Sequence, residues 1–216
     1  MQSTHIIKEL ARYPSPGGRP QPLAFHEGKL WVGCWDTTRI YAIDPKSGAT
    51  LDQVDAPGLP YGLAAFGGAL RVVISHGEQD DRYLYTFVPG QGFDVDSKTA
   101  CPDLTGSHLT SDGTTLYLLQ MSNRRVLLLD GAASVQRTIE LPSACAGICA
   151  TSSAFYVMPT EDDFDTFQFA TLDIASSEPK YTPLATAPPE ARALAFDGTA
   201  WWTSLREESH ILSFSP

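Results

Sequence analysis

The sequence predicts an all-β protein: a five-bladed β-propeller with four antiparallel strands per blade and the last blade closed by an N-terminal strand. One pattern recurs without a gap: "LAFHEGKLWVGCWD" (23–36), "LAAFGGALRVVISH" (63–76), "LTSDGTTLYLLQMS" (109–122), "ICATSSAFYVMPTE" (148–161) and "LAFDGTAWWTSLRE" (194–207). The starts at 23, 63, 109, 148 and 194 lie 40, 46, 39 and 46 residues apart, which is the period of a four-stranded propeller blade. The fifth unit stops at Pro216 before any fourth strand, while "HIIKELARY" (His5–Tyr13) stands spare ahead of the first.

Each unit opens with a short apolar strand, a turn rich in Gly, Asp and Ser, and a longer apolar strand. Alternation and the β-branched and aromatic content favour strands over helices. A third strand follows in "RIYAID", "YLYTFV", "RVLLLD", "QFATLD" and "HILSFS". A less regular fourth follows near Thr50–Val54, Phe93–Lys98, Ser134–Ile139 and Lys180–Leu184. Pairing His5–Tyr13 with the outer edge of the last blade removes the open edge. The five units fill residues 1–216, so the chain reads as a single propeller domain. A two-domain sandwich would not explain the fixed period.

The composition narrows the partners. The chain is 43% hydrophobic, enough for a real core, and its formal net charge is −10. Nucleic acids and anionic membranes recruit basic patches, so neither is expected as a partner. No apolar run approaches the roughly 20 residues that span a bilayer. The N-terminus shows no apolar signal core and no small-residue cleavage site. The expectation is a cytoplasmic monomer with a small-molecule ligand. Cys34, Cys101, Cys145 and Cys149 read as small buried thiols, because one C-x3-C pair is no zinc ribbon and a core this size needs no disulfide framework.

The repeat also places a site. The first strand of a blade lies innermost and the second runs antiparallel to it. Residues before strand one and after strand two therefore share one face, the mouth of the central channel. The column ending strand two holds Asp36, His76, Ser122, Glu161 and Glu207; the column before it holds Trp35, Ser75, Met121, Thr160 and Arg206. Ahead of strand one stand Gln21, Tyr61, Ser107, Ala146 and Arg192, then Pro22, Gly62, His108, Gly147 and Ala193. Polar turn chemistry alone accounts for some of this. A ring of titratable groups around a cavity would also permit acid–base work or metal binding. The candidate catalytic residues are His76, His108, Glu161 and Glu207. The candidate ligand-binding residues are Asp36, Trp35, Tyr61, Arg192 and Arg206. His76, Glu161 and Glu207 could hold a divalent cation, though the cofactor is open. Crowding by Glu78, Asp80 and Asp81 is expected to favour charged His76 and raise its titration. Turns two and four, "HGEQDDRY" and "EDDFDTFQ", are each four residues longer than "DTTR" and acidic. They read as flaps over the mouth.

"LAFHEGKLWVGCWDTTRIYAIDPKSG" and "LPYGLAAFGGALRVVISHG" resemble NHL-type and virginiamycin B lyase-like propellers, where a Pro-x-Gly-Leu/Ile-Ala turn precedes the inner strand. Gluconolactonase-like and glutaminyl cyclotransferase-like propellers are related in style. The resemblance covers nearly the whole chain, and its motifs are architectural. It implies a mouth site. A gluconolactonase-like enzyme holds a divalent metal near the starts of inner strands with Glu, Asn and Asp, whereas those columns here carry Gln21, Tyr61, Ser107, His108 and Arg192. A virginiamycin B lyase-like enzyme opens a lactone with His, Glu and magnesium, groups that His76, His108 and His210 with Glu161 and Glu207 would supply. No G-x-S-x-G or P-loop occurs. A lyase, lactonase or isomerase and a non-catalytic binding or protein-interaction propeller therefore remain the two functional expectations.

Overall fold

The computed structural model describes residues 5–160 and 167–216. Among the described residues, twenty-one strands build five blades around a channel. The N-terminal segment holds β1 (His5–Ile6) and β2 (Lys8–Pro14). Blade one is β3 (Pro20–His26), β4 (Lys29–Cys34), β5 (Arg39–Ile43) and β6 (Thr50–Asp55). Blade two is β7 (Leu59–Phe66), β8 (Ala69–His76), β9 (Asp81–Val88) and β10 (Gly92–Ala100). Blade three is β11 (His108–Ser111), β12 (Leu116–Gln120), β13 (Arg125–Leu129) and β14 (Val135–Glu140). Blade four is β15 (Cys145–Ala150), β16 (Phe155–Pro159), β17 (Phe167–Leu172) and β18 (Tyr181–Ala187). Blade five is β19 (Ala191–Phe196), β20 (Trp201–Leu205) and β21 (His210–Ser215), completed by β2. The inner strands β3, β7, β11, β15 and β19 touch in cyclic order, and β19 meets β3 to close the ring.

The closure differs from the expectation in one respect. The segment His5–Tyr13 does not lie on one blade. Lys8–Pro14 pairs antiparallel with β21 of blade five, while His5–Ile6 runs parallel to β18 of blade four. Ile7 sits at the crossing, where its N–H donates to the Thr186 carbonyl at 3.0 Å and its side chain is buried among Phe167, Phe169 and Phe214. Tyr13 then stacks on Trp202, and its hydroxyl donates to the Lys46 carbonyl of blade one at 2.8 Å. One strand thus fastens blades four, five and one.

Strand alternation explains the core. Successive side chains of a strand face opposite ways, and in a propeller each face meets a neighbouring blade. In β20, Trp201 and Leu205 join the cluster against blade four, while Trp202 joins the cluster against blade one. In β4, Leu30 and Val32 face back to blade five and Trp31 faces forward to blade two. Among the described residues the buried apolar side chains fall into five clusters, one per blade interface. Trp31, Trp201 and Trp202 are all buried in this core. All four cysteines are free and buried, and burial pushes the Cys145 and Cys149 thiols up to about 12.

Two "DGT" turns lock their hairpins in the same way. Asp112 accepts from the N–H groups of Thr114 and Thr115 and from the Tyr117 hydroxyl. Asp197 accepts from Thr199, Ala200 and the Trp202 indole. Burial opposes ionisation of Asp112, yet those hydrogen bonds hold its carboxyl at about 2. Small residues are needed where inner strands approach closely: a Cβ on Gly147 would lie 2.7 Å from the Ala193 carbonyl carbon. The equivalent place in blade three holds His108.

Candidate functional site

Irregularities at the start of the inner strands build the mouth. The register shifts between Pro20 and Leu23, Pro60 and Gly62, Cys145 and Ile148, and Arg192 and Ala195. Such bulges bend a strand and re-aim its side chains. Here they turn Gln21, Tyr61 and Arg192 toward the channel. Blade three pairs in register from His108 onward, which brings His108 itself to the channel wall.

Parity along strand two decides the rest. The forward-facing residues Trp31 and Trp202 continue two by two to Trp35 and Arg206; Met158 continues to Thr160 in the same way. Of the column Trp35, Ser75, Met121, Thr160 and Arg206, the residues Trp35, Met121 and Arg206 line the cavity. The column Asp36, His76, Ser122 and Glu207 has the opposite parity. Asp36, Ser122 and Glu207 are exposed. Among the described residues only Ser122 of the strand-end column reaches the cavity lining, so Asp36, His76 and Glu207 do not form the expected ring there. A displacement of one residue exchanges the two faces of a strand.

The result is a cavity of about 400 Å³ lined by Gln21, Trp35, Tyr61, Arg82, Thr105, Ser107, His108, Met121, Ser122, Arg192 and Arg206. Trp35 and Tyr61 form one wall, with ring centroids 4.6 Å apart. The Trp35 indole N–H donates to the Pro60 carbonyl at 2.7 Å, which fixes the ring. Arg206 lies 4.9 Å from the Trp35 ring centre, donates to the Gln21 side-chain oxygen at 3.2 Å and pairs with Glu207 at 3.2 Å. Arg82 lies 3.3 Å from the Tyr61 ring centre, donates to the Gly106 carbonyl at 2.7 Å and is ion-paired with Asp80. Arg192 stands 5.1 Å from the Phe167 ring centre and donates to the Ala191 carbonyl at 3.1 Å. Three guanidinium groups thus surround one cavity in a chain of net charge −10.

His108 completes the wall. It is 3% exposed, and its Nε2 has no hydrogen-bond partner. Burial, then the charges of Arg192, Arg206 and Arg82, push its titration down to about 3. The imidazole is neutral at physiological pH and its Nε2 is free to accept or donate one bond.

Five candidates line this cavity: Trp35, Tyr61, His108, Arg192 and Arg206. Four do not reach it or lie outside the described residues. Asp36 is an exposed turn residue beside Gly18. Glu207 is exposed and holds Arg206. Glu161 lies outside the described residues, as does most of the acidic turn of blade four. His76 turns the other way: its Nε2 bonds the Tyr85 hydroxyl at 2.9 Å and its ring packs on Tyr83. Its titration is lowered, by burial and then by Lys98, which reverses the upward shift expected from Glu78, Asp80 and Asp81. Those carboxylates sit on an exposed hairpin tip, and Asp80 is engaged with Arg82 and Ser75. His210 is also outside the lining, with Nδ1 2.7 Å from the Glu208 carbonyl. Among the described residues no group of three His, Cys, Asp or Glu side chains could hold a metal ion.

Arg82 is the residue that sequence reasoning missed. The acidic turn of blade two read as a flap. In the structure it is a longer hairpin whose last turn residue, Asp80, folds back to anchor Arg82 at the cavity wall. The signal was present as "DDRY", an arginine behind two aspartates at the start of a third strand.

Burial of neutral His108 makes stability sensitive to acid. Its titration falls from 6.5 in the unfolded chain to about 3 in the folded protein. Between those values the unfolded state binds the extra proton, so stability is full above pH 6.5 and declines as pH falls toward 3. A one-proton difference corresponds to about 1.4 kcal/mol per pH unit. Urea melts of wild type and His108→Gln between pH 7 and 4 check this: the wild type should lose more stability across the window than the variant. Equal losses would remove His108 as the acid-sensitive group.

Fold and cavity together define the class: a five-bladed propeller with a small cationic, aromatic cavity at the channel mouth. The chain is similar in structure to Myxococcus xanthus glutaminyl cyclase, with a TM-score of 0.71 at 12% identity, covering 97% of this chain and 96% of that one. It is also similar to the PQQ-bound aldose sugar dehydrogenase of Streptomyces coelicolor, with TM-score 0.61, 12% identity and coverage of 94% and 79%. A catalytically inactive virginiamycin B lyase from Staphylococcus aureus, in complex with quinupristin, aligns with TM-score 0.56 and 17% identity over 88% of this chain and 64% of that one. No family model matches the chain, and no curated protein matches it in sequence. At such identities the likeness is one of fold, a fold that serves a cyclase, a lyase and a dehydrogenase alike.

Proposed function

We propose that this protein binds a small molecule in the mouth cavity and acts on it as a lyase, lactonase or isomerase. The observation that supports this reading is the neutral, unpartnered His108 Nε2 in the wall of a cavity bearing three guanidinium groups. A neutral imidazole of lowered titration can donate a hydrogen bond to a substrate oxygen, and fixed cations beside it stabilise the negative charge that develops there. The similar structures of a cyclase and a lyase fit a propeller used for chemistry on small molecules.

The test is a turnover screen of lactones and elimination substrates with purified protein, with and without magnesium or calcium, read by mass spectrometry. Wild type should convert at least one substrate, and His108→Gln should lose about 10²–10³ of that rate, the usual contribution of one donor to a developing oxyanion. Unchanged turnover in the variant would refute the role of His108. The second reading is a non-catalytic binding propeller, favoured by the Trp35–Tyr61 wall, a surface suited to stacking. Ligand binding with no conversion of any bound compound would select it.

A further inference from the structure

Resting on the reading that the mouth cavity is the ligand site, we infer that its ligand is a small organic acid bearing a single carboxylate, seated on Arg192 beside Arg206 and within reach of His108. The balance of charge carries this. Arg82 is paired with Asp80, and Arg206 is paired with Glu207. Among the described residues, Arg192 bonds the Ala191 carbonyl, stands over the Phe167 ring and forms no ion pair with a carboxylate. A half-buried guanidinium in that state is held at a cost that an anion would remove. Burial and then the neighbouring Arg206 lower its titration to about 10, outweighing the opposite effect of Glu190 and Glu207, neither of which pairs with it.

Three further features set the class. One unpaired cation matches one negative charge, whereas a phosphate monoester carries about −1.5 to −2. The guanidinium fork of Arg192 matches a carboxylate in two parallel hydrogen bonds. The cavity of about 400 Å³ suits a small molecule rather than a polymer end. Its Trp35 and Tyr61 wall offers the organic part of the acid an apolar face. The buried His108 Nε2 supplies one more hydrogen bond, which a carboxylate oxygen can accept or a neighbouring hydroxyl can donate.

The test uses the full chain and three probes of one shape: phenylacetate, phenylacetamide and phenyl phosphate. Binding is read by NMR from the Trp35 indole N–H and the His108 ring. Phenylacetate should shift both signals and bind at least about tenfold tighter than the other two, a difference of about 1.4 kcal/mol. Arg192→Gln should reduce phenylacetate to the level of the amide while leaving the thermal midpoint within a few degrees. The comparison among probes on wild type stands even if that variant fails to fold. Equal binding of amide and acid overturns the carboxylate. Tighter binding of phenyl phosphate overturns the single charge. If no probe moves Trp35 or His108, the cavity itself is the wrong site and the proposed function falls with it.

Discussion

Deleting residues 1–13 is expected to lower the thermal midpoint by roughly 8–16 °C. At about 2–4 °C per kcal/mol for a chain of this size, that corresponds to about 4 kcal/mol. The deletion removes nearly all of the fourth strand of blade five and leaves the outer edge of β21 unpaired. It removes buried Ile7, a loss of about 2–5 kcal/mol in Ile→Ala terms. It also removes the Tyr13 ring from Trp202 and its hydrogen bond to blade one. Because the segment touches blades four, five and one, the loss falls at the seam where the ring closes. Calorimetry of the truncated chain beside Ile7→Ala and Tyr13→Ala checks the account. The single variants should each recover part of the loss. A truncated protein that melts with the wild type would show that the ring closes without this strand.

The architecture was legible because it is written many times over. A period set by five repeats survives errors in any one of them, and the spare strand at one end with the missing strand at the other fixes the closure. What the repeat could not show is the split of that closing strand, since His5 and Ile6 leave blade five for β18 through a local turn of backbone at Ile7. The site was half legible for the same reason. Columns ahead of strand one brought Gln21, Tyr61, Ser107, His108 and Arg192 to the cavity. Of the polar strand-two column only Ser122, among the described residues, reaches the lining, because polarity marks exposure as well as function. Asp36 and Glu207 are polar as solvated turns, whereas Trp35 and Met121 point inward. Arg82 stayed hidden because no column singles out the start of a third strand; only the folded-back Asp80 brings it to the mouth.

Arg82→Met is expected to cost about 2–3 kcal/mol at pH 7, the scale of hydrogen bonds to a charged group, although the new side chain fills a similar volume. The guanidinium caps the Tyr61 ring, holds the Gly106 carbonyl on the connection into blade three, and answers Asp80. Replacing it strands the Gly106 carbonyl at the cavity edge and frees the ring that walls the cavity. Burial alone would push the Asp80 carboxyl up; hydrogen bonds from Arg82 and Ser75 outweigh it and hold it below its ordinary 3.8. Its contribution is therefore present above that value and lost as pH falls through the lower, folded value. The gap between wild type and Arg82→Met should narrow below pH 4, and His108 adds to the narrowing: Arg82 is one of the charges that lower its titration, so the variant loses less stability through His108 as pH falls. A double-mutant cycle with Asp80→Asn isolates the pair and should give a coupling of about 1 kcal/mol or more at pH 7. Urea melts at pH 7 and pH 3 measure both quantities. If Arg82→Met stays within about 0.5 kcal/mol of wild type, the range of an unremarkable surface change, then the Asp80–Arg82–Tyr61 arrangement is not what holds the cavity wall in place.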